Sequence, residues 1–337
     1  MPLIFQNKIE LKKILLKSFY IVITLLFILI IFNLLSFSED KNNKSQNNNK
    51  TYSIYPVILP DSLEFAGEPV PLEDFDIYES LDKEFTINTY WQSQMLLFIK
   101  RSSRYLPTIE KILKKNNVPD DFKYLAIAES GLTNSISSAN AVGFWQFIKP
   151  TAIKYGLEVN DEIDERYHLE KSTEAACKYL KEAHEIYKSW TLVAASFNLG
   201  TNGLTRHLEK QKVNNYYDLL LNDETARYVF RILAIKTIMS EPKKYGFYLT
   251  KKDLYPPIPT YNVKIDSTIN DLTSFAFSKS INYKILKIFN PWLRQSSLKN
   301  KEKKTYYLKI PKGNYRNMKF LMEEFLNDST NKNDSIN

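Results

Sequence analysis

Tyr124-Leu125-Ala126-Ile127-Ala128-Glu129-Ser130-Gly131 is the stretch on which the reading of this chain turns. An apolar run ends in a carboxylic acid, and glycine, the commonest residue at a helix end, follows two positions later. Desolvation at the end of a buried helix favours the neutral form of a carboxyl group. That form is what a general acid needs to break a glycosidic bond near neutral pH. Taken alone, Glu129 is more simply a helix-end cap or an ion-pair partner, because an active site is only one use of such a setting. Three later motifs reverse that balance: Gly143-Phe144-Trp145-Gln146, Ser196-Phe197-Asn198-Leu199-Gly200 and Glu224-Thr225-Ala226-Arg227-Tyr228.

Outward from Glu129 the apolar spacing is helical, from about Glu84 to Pro242. Trp91, Met95, Leu96, Ile99 and Tyr105 recur at helical intervals. Pro107 and Pro119 punctuate the pattern, and Asp120 and Asp121 stand where a helix start favours negative charge. That helix runs through Phe122, Leu125 and Ala128 to Glu129. Ser172 and Glu174 open another, with Ala175, Ala176, Tyr179, Leu180 and Ala183 on its buried face. A short helix from about Leu192 to Leu199 stops at Gly200, and a long one runs from about Glu224 to Met239. No strand pattern competes, so residues 84–245 read as one all-α domain.

After Tyr245 the character changes. Pro256, Pro257 and Pro259 mark a linker, and Tyr261, Val263 and Ile265 alternate as a strand does. Two helix-like stretches follow, 270–278 and 282–289, before a second strand at Tyr306–Pro311. The order strand, helix, helix, strand predicts a small α+β module over 258–312. Residues 313–337 read as a polar tail.

At the other end, residues 19–37 (FYIVITLLFILIIFNLLSF) carry no charge. As a helix they span about 28 Å, close to the hydrocarbon thickness of a bilayer. Lys8, Lys12, Lys13 and Lys17 place residues 1–18 in the cytoplasm by the positive-inside rule. No small-residue cleavage site follows. The reading is a transmembrane signal anchor, with a cleaved signal as the alternative. It predicts a single-pass inner-membrane protein whose catalytic domain lies in the periplasm. Residues 38–83 begin with an Asn-rich polar tether and continue as an extended, proline-containing lead-in.

The 337 residues carry a net charge of +8, a 44% hydrophobic fraction and a 14% aromatic fraction. The basic residues are scattered rather than striped, so nucleic acid is not an expected partner. A negatively charged cell-envelope polymer suits the charge equally well. The single cysteine, Cys177, excludes an intramolecular disulfide and any zinc site built on thiolates, and reads as a small core residue. His168, His184 and His207 are too few and too far apart to suggest a metal centre.

The four motifs, in this order and spacing, resemble those of the lytic transglycosylase (SLT) family, relatives of the goose-type lysozymes. The likeness covers roughly residues 85–240 and is greatest to the membrane-bound lytic murein transglycosylase D branch. It implies a lysozyme-like helical domain with Glu129 as catalytic acid/base and no metal or organic cofactor. Ser137, Gln146, Asn198 and Tyr228 then fall at substrate-binding or site-orienting positions, Tyr228 being placed to orient Glu129. Gly143 matches a position where the backbone must come close. Two departures stand out. Phe197 replaces a more usual tyrosine and lacks its hydroxyl, and Phe144-Trp145 replaces the commoner Leu-Met, either to stack on sugars or to fill the core. The C-terminal module resembles a diverged LysM domain, carried by Asp271-Leu272, Asn290-Pro291-Trp292-Leu293 and Ile310-Pro311. It either binds glycan or packs as an accessory.

The resemblance implies cleavage of the MurNAc-β-1,4-GlcNAc bond of peptidoglycan to give 1,6-anhydromuramoyl ends. Retaining and inverting glycosidases ordinarily use two carboxylates. No second acid occupies a motif position here; Asp161, Glu162, Asp164 and Glu165 read as a solvated loop. Two alternatives remain at this point: a lysozyme-type hydrolase, and a non-catalytic peptidoglycan-binding scaffold. Protein partners are not legible.

Overall fold

A computed structural model of the chain describes Lys17, residues 22–31 and residues 54–333, without the side chains of 329–333. Residues 1–16, most of the tether over 38–53 and residues 334–337 lie outside the described residues, as do 19–21 and 32–37 of the expected membrane span. Residues 1–56 and 57–337 form two separate units. In the first, residues 22–31 form an exposed helix, α1. Among the described residues no helix is long and apolar enough to cross a membrane. That finding overturns the expected single-pass inner-membrane placement and the periplasmic location that rested on it.

The second unit opens with a short hairpin, β1 Glu64–Phe65 and β2 Glu68–Pro69. Eight helices follow: α2 Phe75–Tyr90, α3 Gln92–Lys115, α4 Phe122–Ser130, α5 Lys149–Lys154, α6 Leu169–Tyr187, α7 Trp190–Leu199, α8 Thr201–Gln211 and α9 Asp223–Ser240. The helical region therefore begins at Phe75, inside the stretch expected to be extended. Its first helix is held by Ile77, Leu81 and Phe85, which recur every four residues and are buried. α3 also runs through Pro107 rather than stopping there. A proline inside a helix costs about 3 kcal/mol, and burial of Leu106, Ile109, Ile112 and Leu113 around it offsets that.

α9 is the axis of the domain. Val229, Ile232, Leu233, Ala234, Ile235 and Ile238 are almost fully buried, and α2, α4 and α7 pack around them. α4 is apolar over most of its circumference, with Phe122, Tyr124, Leu125, Ala126 and Ile127 all buried. Asp121, at its start, does not cap the helix; it accepts from the Ala66 amide (2.6 Å) and pairs with Lys236 of α9 (2.6 Å). At the other end Gly131 is left-handed, with φ 58°, and a Cβ there would lie 2.6 Å from the Phe98 ring. The helix stops where only glycine turns without a clash.

The C-terminal module has the expected order: β3 Thr260–Ile265, α10 Leu272–Ser278, α11 Tyr283–Phe289 and β4 Tyr306–Pro311. β3 and β4 pair antiparallel, Thr260 opposite Pro311 and Ile265 opposite Tyr306. Asn290, fully buried, locks α11 to β4. Its amide donates to Leu286 O (3.0 Å) and Lys309 O (2.8 Å), and its oxygen accepts from Lys309 N (2.8 Å). Where a polar tail was expected, Met318–Asn333 form a last helix, α12.

The acidic cluster at 161–165 is solvated only at its start, where Asp161 is exposed. Asp164 and Glu165 are buried beside Arg166 and Lys171. The same segment carries the module: Asp164 N donates to Trp292 O (2.9 Å), Arg294 N donates to Glu162 O (2.7 Å), and Ile163 bridges Leu293.

One long-range contact sets the start of α7. The Glu68 carboxylate, on the hairpin, accepts from Ser189 Oγ, Trp190 N, Thr191 N and Thr191 Oγ1. Burial raises its pKa, and the hydrogen bonds from Thr191, Trp190 and Ser189 outweigh that and hold it below the ordinary glutamate value. Glu68→Ala is expected to cost about 2 kcal/mol, a lost cap plus unpaired donors. The loss should be full at neutral pH and shrink as pH falls through the acid range, where the wild type protonates Glu68. Thermal melts of both proteins between pH 3 and 7 check this; a pH-independent difference would refute it.

Candidate active site

Glu129 occupies the last turn of α4 and lines a cavity of about 380 Å³ with Trp91, Gln94, Leu97, Arg101 and Ser135. It is the only carboxylate among the described residues that line it. Its pKa is raised to about 7. Burial is the largest cause, opposed by the Tyr228 hydrogen bond and the Arg231 charge, while Glu224 adds a smaller upward push. A carboxyl raised this far is at hand as acid and as base around neutrality, which suits one group acting first as one and then as the other.

Tyr228 projects from the second turn of α9 and donates its hydroxyl to Glu129 Oε1. Burial and the adjacent Glu129 hold the phenol well above its ordinary pKa, so it stays a donor. With Oε1 accepting, the proton of the neutral acid sits on Oε2. One turn earlier on α9, Thr225 Oγ1 donates to Asn198 Oδ1 (2.9 Å). Thr225 and Tyr228 share a helix face, so Asn198, exposed at the end of α7, stands one turn along the same wall from the acid. α9 itself is held by Glu84, buried on α2, which pairs with Arg227 (2.5 Å) and Arg231 (3.9 Å) on either side of Tyr228. Nothing in the sequence motifs marks Glu84, because its partner is 143 residues away.

The second motif forms a loop tied to the end of α4. Ser130 Oγ donates to Phe144 O (2.9 Å). Gly143 is left-handed, φ 81°, and a Cβ there would lie 2.1 Å from the Arg166 carbonyl oxygen, so any other residue would force the backbones apart. Gln146, also left-handed at φ 47°, gives its amide to Gly143 O (2.7 Å), Ser135 O (3.1 Å) and Ser135 Oγ (3.2 Å). It braces the loop that presents Ser135 to the cavity. Ser137 closes the turn of that loop, its Oγ accepting from Ala141 N (3.0 Å), and is not among the residues lining the Glu129 cavity. Ser135 is, and only the path of the loop distinguishes the two.

The aromatic departures are packing. Trp145 is fully buried and donates to Thr173 Oγ1 (2.9 Å). Phe197 packs on Tyr179, Phe147 and Trp145 at centroid distances of 5.1–6.2 Å. Phe144 is buried against Tyr105. Cys177 is buried, and burial pushes its thiol up to about 12, far from a nucleophile's range.

Two outcomes test this geometry. The unfolded chain ionises Glu129 near about 4.3, whereas the folded site resists until about 7. Stability from this group is therefore full at acid pH and declines as pH rises between those values. Glu129→Gln should raise the melting temperature at pH 8 and leave it unchanged at pH 4; a lower melting temperature at pH 8 would contradict the buried-acid reading. Gly143→Ala should cost about 3 kcal/mol or more, because both its φ and the Arg166 carbonyl oppose a side chain. Chemical denaturation measures it.

Comparison with known proteins agrees with this architecture. Residues 107–220 match the family model of the transglycosylase SLT domain. Residues 261–314 match that of the soluble lytic transglycosylase C-terminal LysM-like domain. The membrane-bound lytic murein transglycosylase D of Escherichia coli strain K12 is 29% identical over 204 residues, 59% of this chain and 44% of the relative. The protein of that name from Escherichia coli O6:H1 strain CFT073 matches to the same extent. The chain spans less than half the length of these curated relatives. The helical domain is thus similar to the transglycosylase SLT domain over residues 107–220, and the C-terminal module to the LysM-like domain of soluble lytic transglycosylases over residues 261–314.

Proposed function

We propose that the chain is a peptidoglycan lytic transglycosylase that cleaves the MurNAc-β-1,4-GlcNAc bond and leaves 1,6-anhydromuramoyl ends. The observation that carries this reading is Glu129, a lone carboxyl in its cavity, with a pKa near 7 and Tyr228 fixed on one oxygen. The Oε2 proton passes to the glycosidic oxygen as the C1–O bond breaks. The substrate's own 2-acetamido group supports the positive charge that develops at C1. Glu129, now a carboxylate, takes the proton from the muramic C6 hydroxyl as that oxygen bonds to C1. Attack from within the same sugar has a high effective molarity and needs no second carboxylate to activate water. Neutral burial favours the first step, and the Tyr228 and Arg231 interactions favour the second by stabilising the carboxylate.

Asn198 is assigned to the N-acetyl or hydroxyl groups of the bound sugars, and Ser137 acts by closing the loop that presents Ser135 to the cavity. Gln146 acts through the loop it braces, and Tyr228 through Glu129.

Intact peptidoglycan digested with the full chain, beside the Glu129→Gln variant, tests the reading by mass spectrometry. Products lighter than the reducing muropeptides by one water are expected from the wild type alone. Reducing MurNAc ends would indicate lysozyme-type hydrolysis. Absence of products with retained sedimentation on peptidoglycan would indicate a binding protein.

A further inference from the structure

Two arginines flank Tyr228 on α9, and both face one carboxylate. Glu84, buried on α2, holds Arg227 Nε at 2.5 Å through Oε1 and stands 3.9 Å from Arg231 Nε through Oε2. Asn88, one turn along α2, donates its amide to Glu84 O (2.8 Å) and Oε2 (3.4 Å). Arg231 has a second counterion, Glu224, at 3.2 Å, whose side chain is 61% exposed. The same guanidinium is thus held by one anion inside the protein and by another at its surface.

Arg231 follows Tyr228 by three residues, on the same side of α9, and Tyr228 donates to Glu129 Oε1. The Arg231 charge favours the Glu129 carboxylate, and the Glu224 charge opposes it. How strongly Arg231 acts depends on its own counterions. A buried anion cancels its field where neither water nor salt screens the pair, whereas an exposed one is screened. Glu84 is therefore the counterion that governs it. Other groups stand near. Tyr228 stays a neutral donor, Tyr179 of α6 donates to Ser196 O (2.5 Å), and Arg101, lining the cavity from α3, donates to Gly131 O (3.0 Å). Beside Glu84, Tyr216 donates to Thr225 O (3.1 Å) and Ala226 O (2.7 Å), and burial holds its phenol above the ordinary range. These groups are the same in every variant below.

We propose that Glu84 is a positioning residue for the acid: by holding back the charge of Arg231 it sets the pH at which Glu129 gives and takes its proton. The inference rests on the reading of Glu129 as the acid/base and adds how that group is regulated. A Glu129 that ionises too early is a poorer acid at neutrality, so Glu84 fixes where on the pH scale the reaction runs. The control comes from α2, outside the residues that match the SLT-domain model.

The sign of the effect separates this role from support of the fold. If Glu84 only held Tyr228 in place, its loss would free Glu129 from the phenol. Losing a hydrogen bond to the carboxylate raises the pH of ionisation. Losing the counterion of Arg231 does the opposite, because the guanidinium then acts on Glu129 at full strength.

Carbon-13 NMR of the full chain, labelled at the glutamate side-chain carboxyl, tests the proposal. The Glu129 signal is the one absent from Glu129→Gln, and in the wild type it should titrate near pH 7. Glu84→Gln, which keeps the shape and one accepting oxygen, should lower that midpoint by about half a pH unit or more. Arg231→Gln should raise it by a similar amount. An unmoved or raised midpoint in Glu84→Gln would overturn the proposal. Should that variant not fold, Arg231→Gln decides, and an unmoved or lowered midpoint there overturns it equally. The titration follows a proton and needs no substrate, so it succeeds or fails separately from the digestion that tests the transglycosylase reading.

Discussion

The guanidinium of Arg166 joins three parts of the molecule that the chain supplies separately. Its Nε and Nη2 grip both oxygens of Asp164, at 2.9 and 2.7 Å, and its Nη1 donates to Asn140 O and Phe147 O. The 140–147 loop is thereby fastened to the acidic segment, whose backbone carries the C-terminal module. The pair is buried, so its attraction is set against a large desolvation cost and its net contribution to stability is small. What it contributes is placement. Removing either partner would leave an unpaired charge in the interior, so the loop has one low-energy position. Gly143 follows from that constraint, since its backbone lies against the Arg166 carbonyl with no room for a Cβ.

From this joint the site is assembled by the last turn of one helix and the second turn of another. Glu129 is in the last turn of α4, where the apolar circumference of the helix supplies desolvation and the left-handed Gly131 turns the chain away. Tyr228 comes from the second turn of α9, whose apolar face is buried, and is held in rotation by the Glu84 pairs on either side. The acid is in tension with stability: a carboxyl kept neutral to about pH 7 opposes folding whenever the unfolded chain would ionise it. Packing of α9 against α2, α4 and α7 is what sustains such a group.

The comparison between sequence and structure divides along chemical lines. The helices around Glu129, the stop at Gly131 and the strand-helix-helix-strand order of the module were legible because they rest on local signals: apolar periodicity, turn residues and alternation. The first half of α2 was missed because prolines and acids precede it and charged residues interleave the spacing of Ile77, Leu81 and Phe85. Pro107 was read as a break because its local cost is real, and tertiary burial overrides it. The acidic cluster was read as solvated because Arg166 and Lys171 do not announce that they fold back onto it. The apolar run at 19–37 met every local criterion for a membrane span, yet the described helix covers only 22–31 of it.

The sequence by itself singled out Glu129 as the candidate acid and set the motif order around it and the helical character of the domain, since each is written in neighbouring residues. Only the tertiary structure decided that Ser135 rather than Ser137 reaches the cavity and that Phe144, Trp145 and Phe197 are packing. The reason is physical. Periodicity records which side of an element is buried, but the partner that neutralises a charge or fills a cavity comes from tens to more than a hundred residues away, and no local pattern encodes that distance.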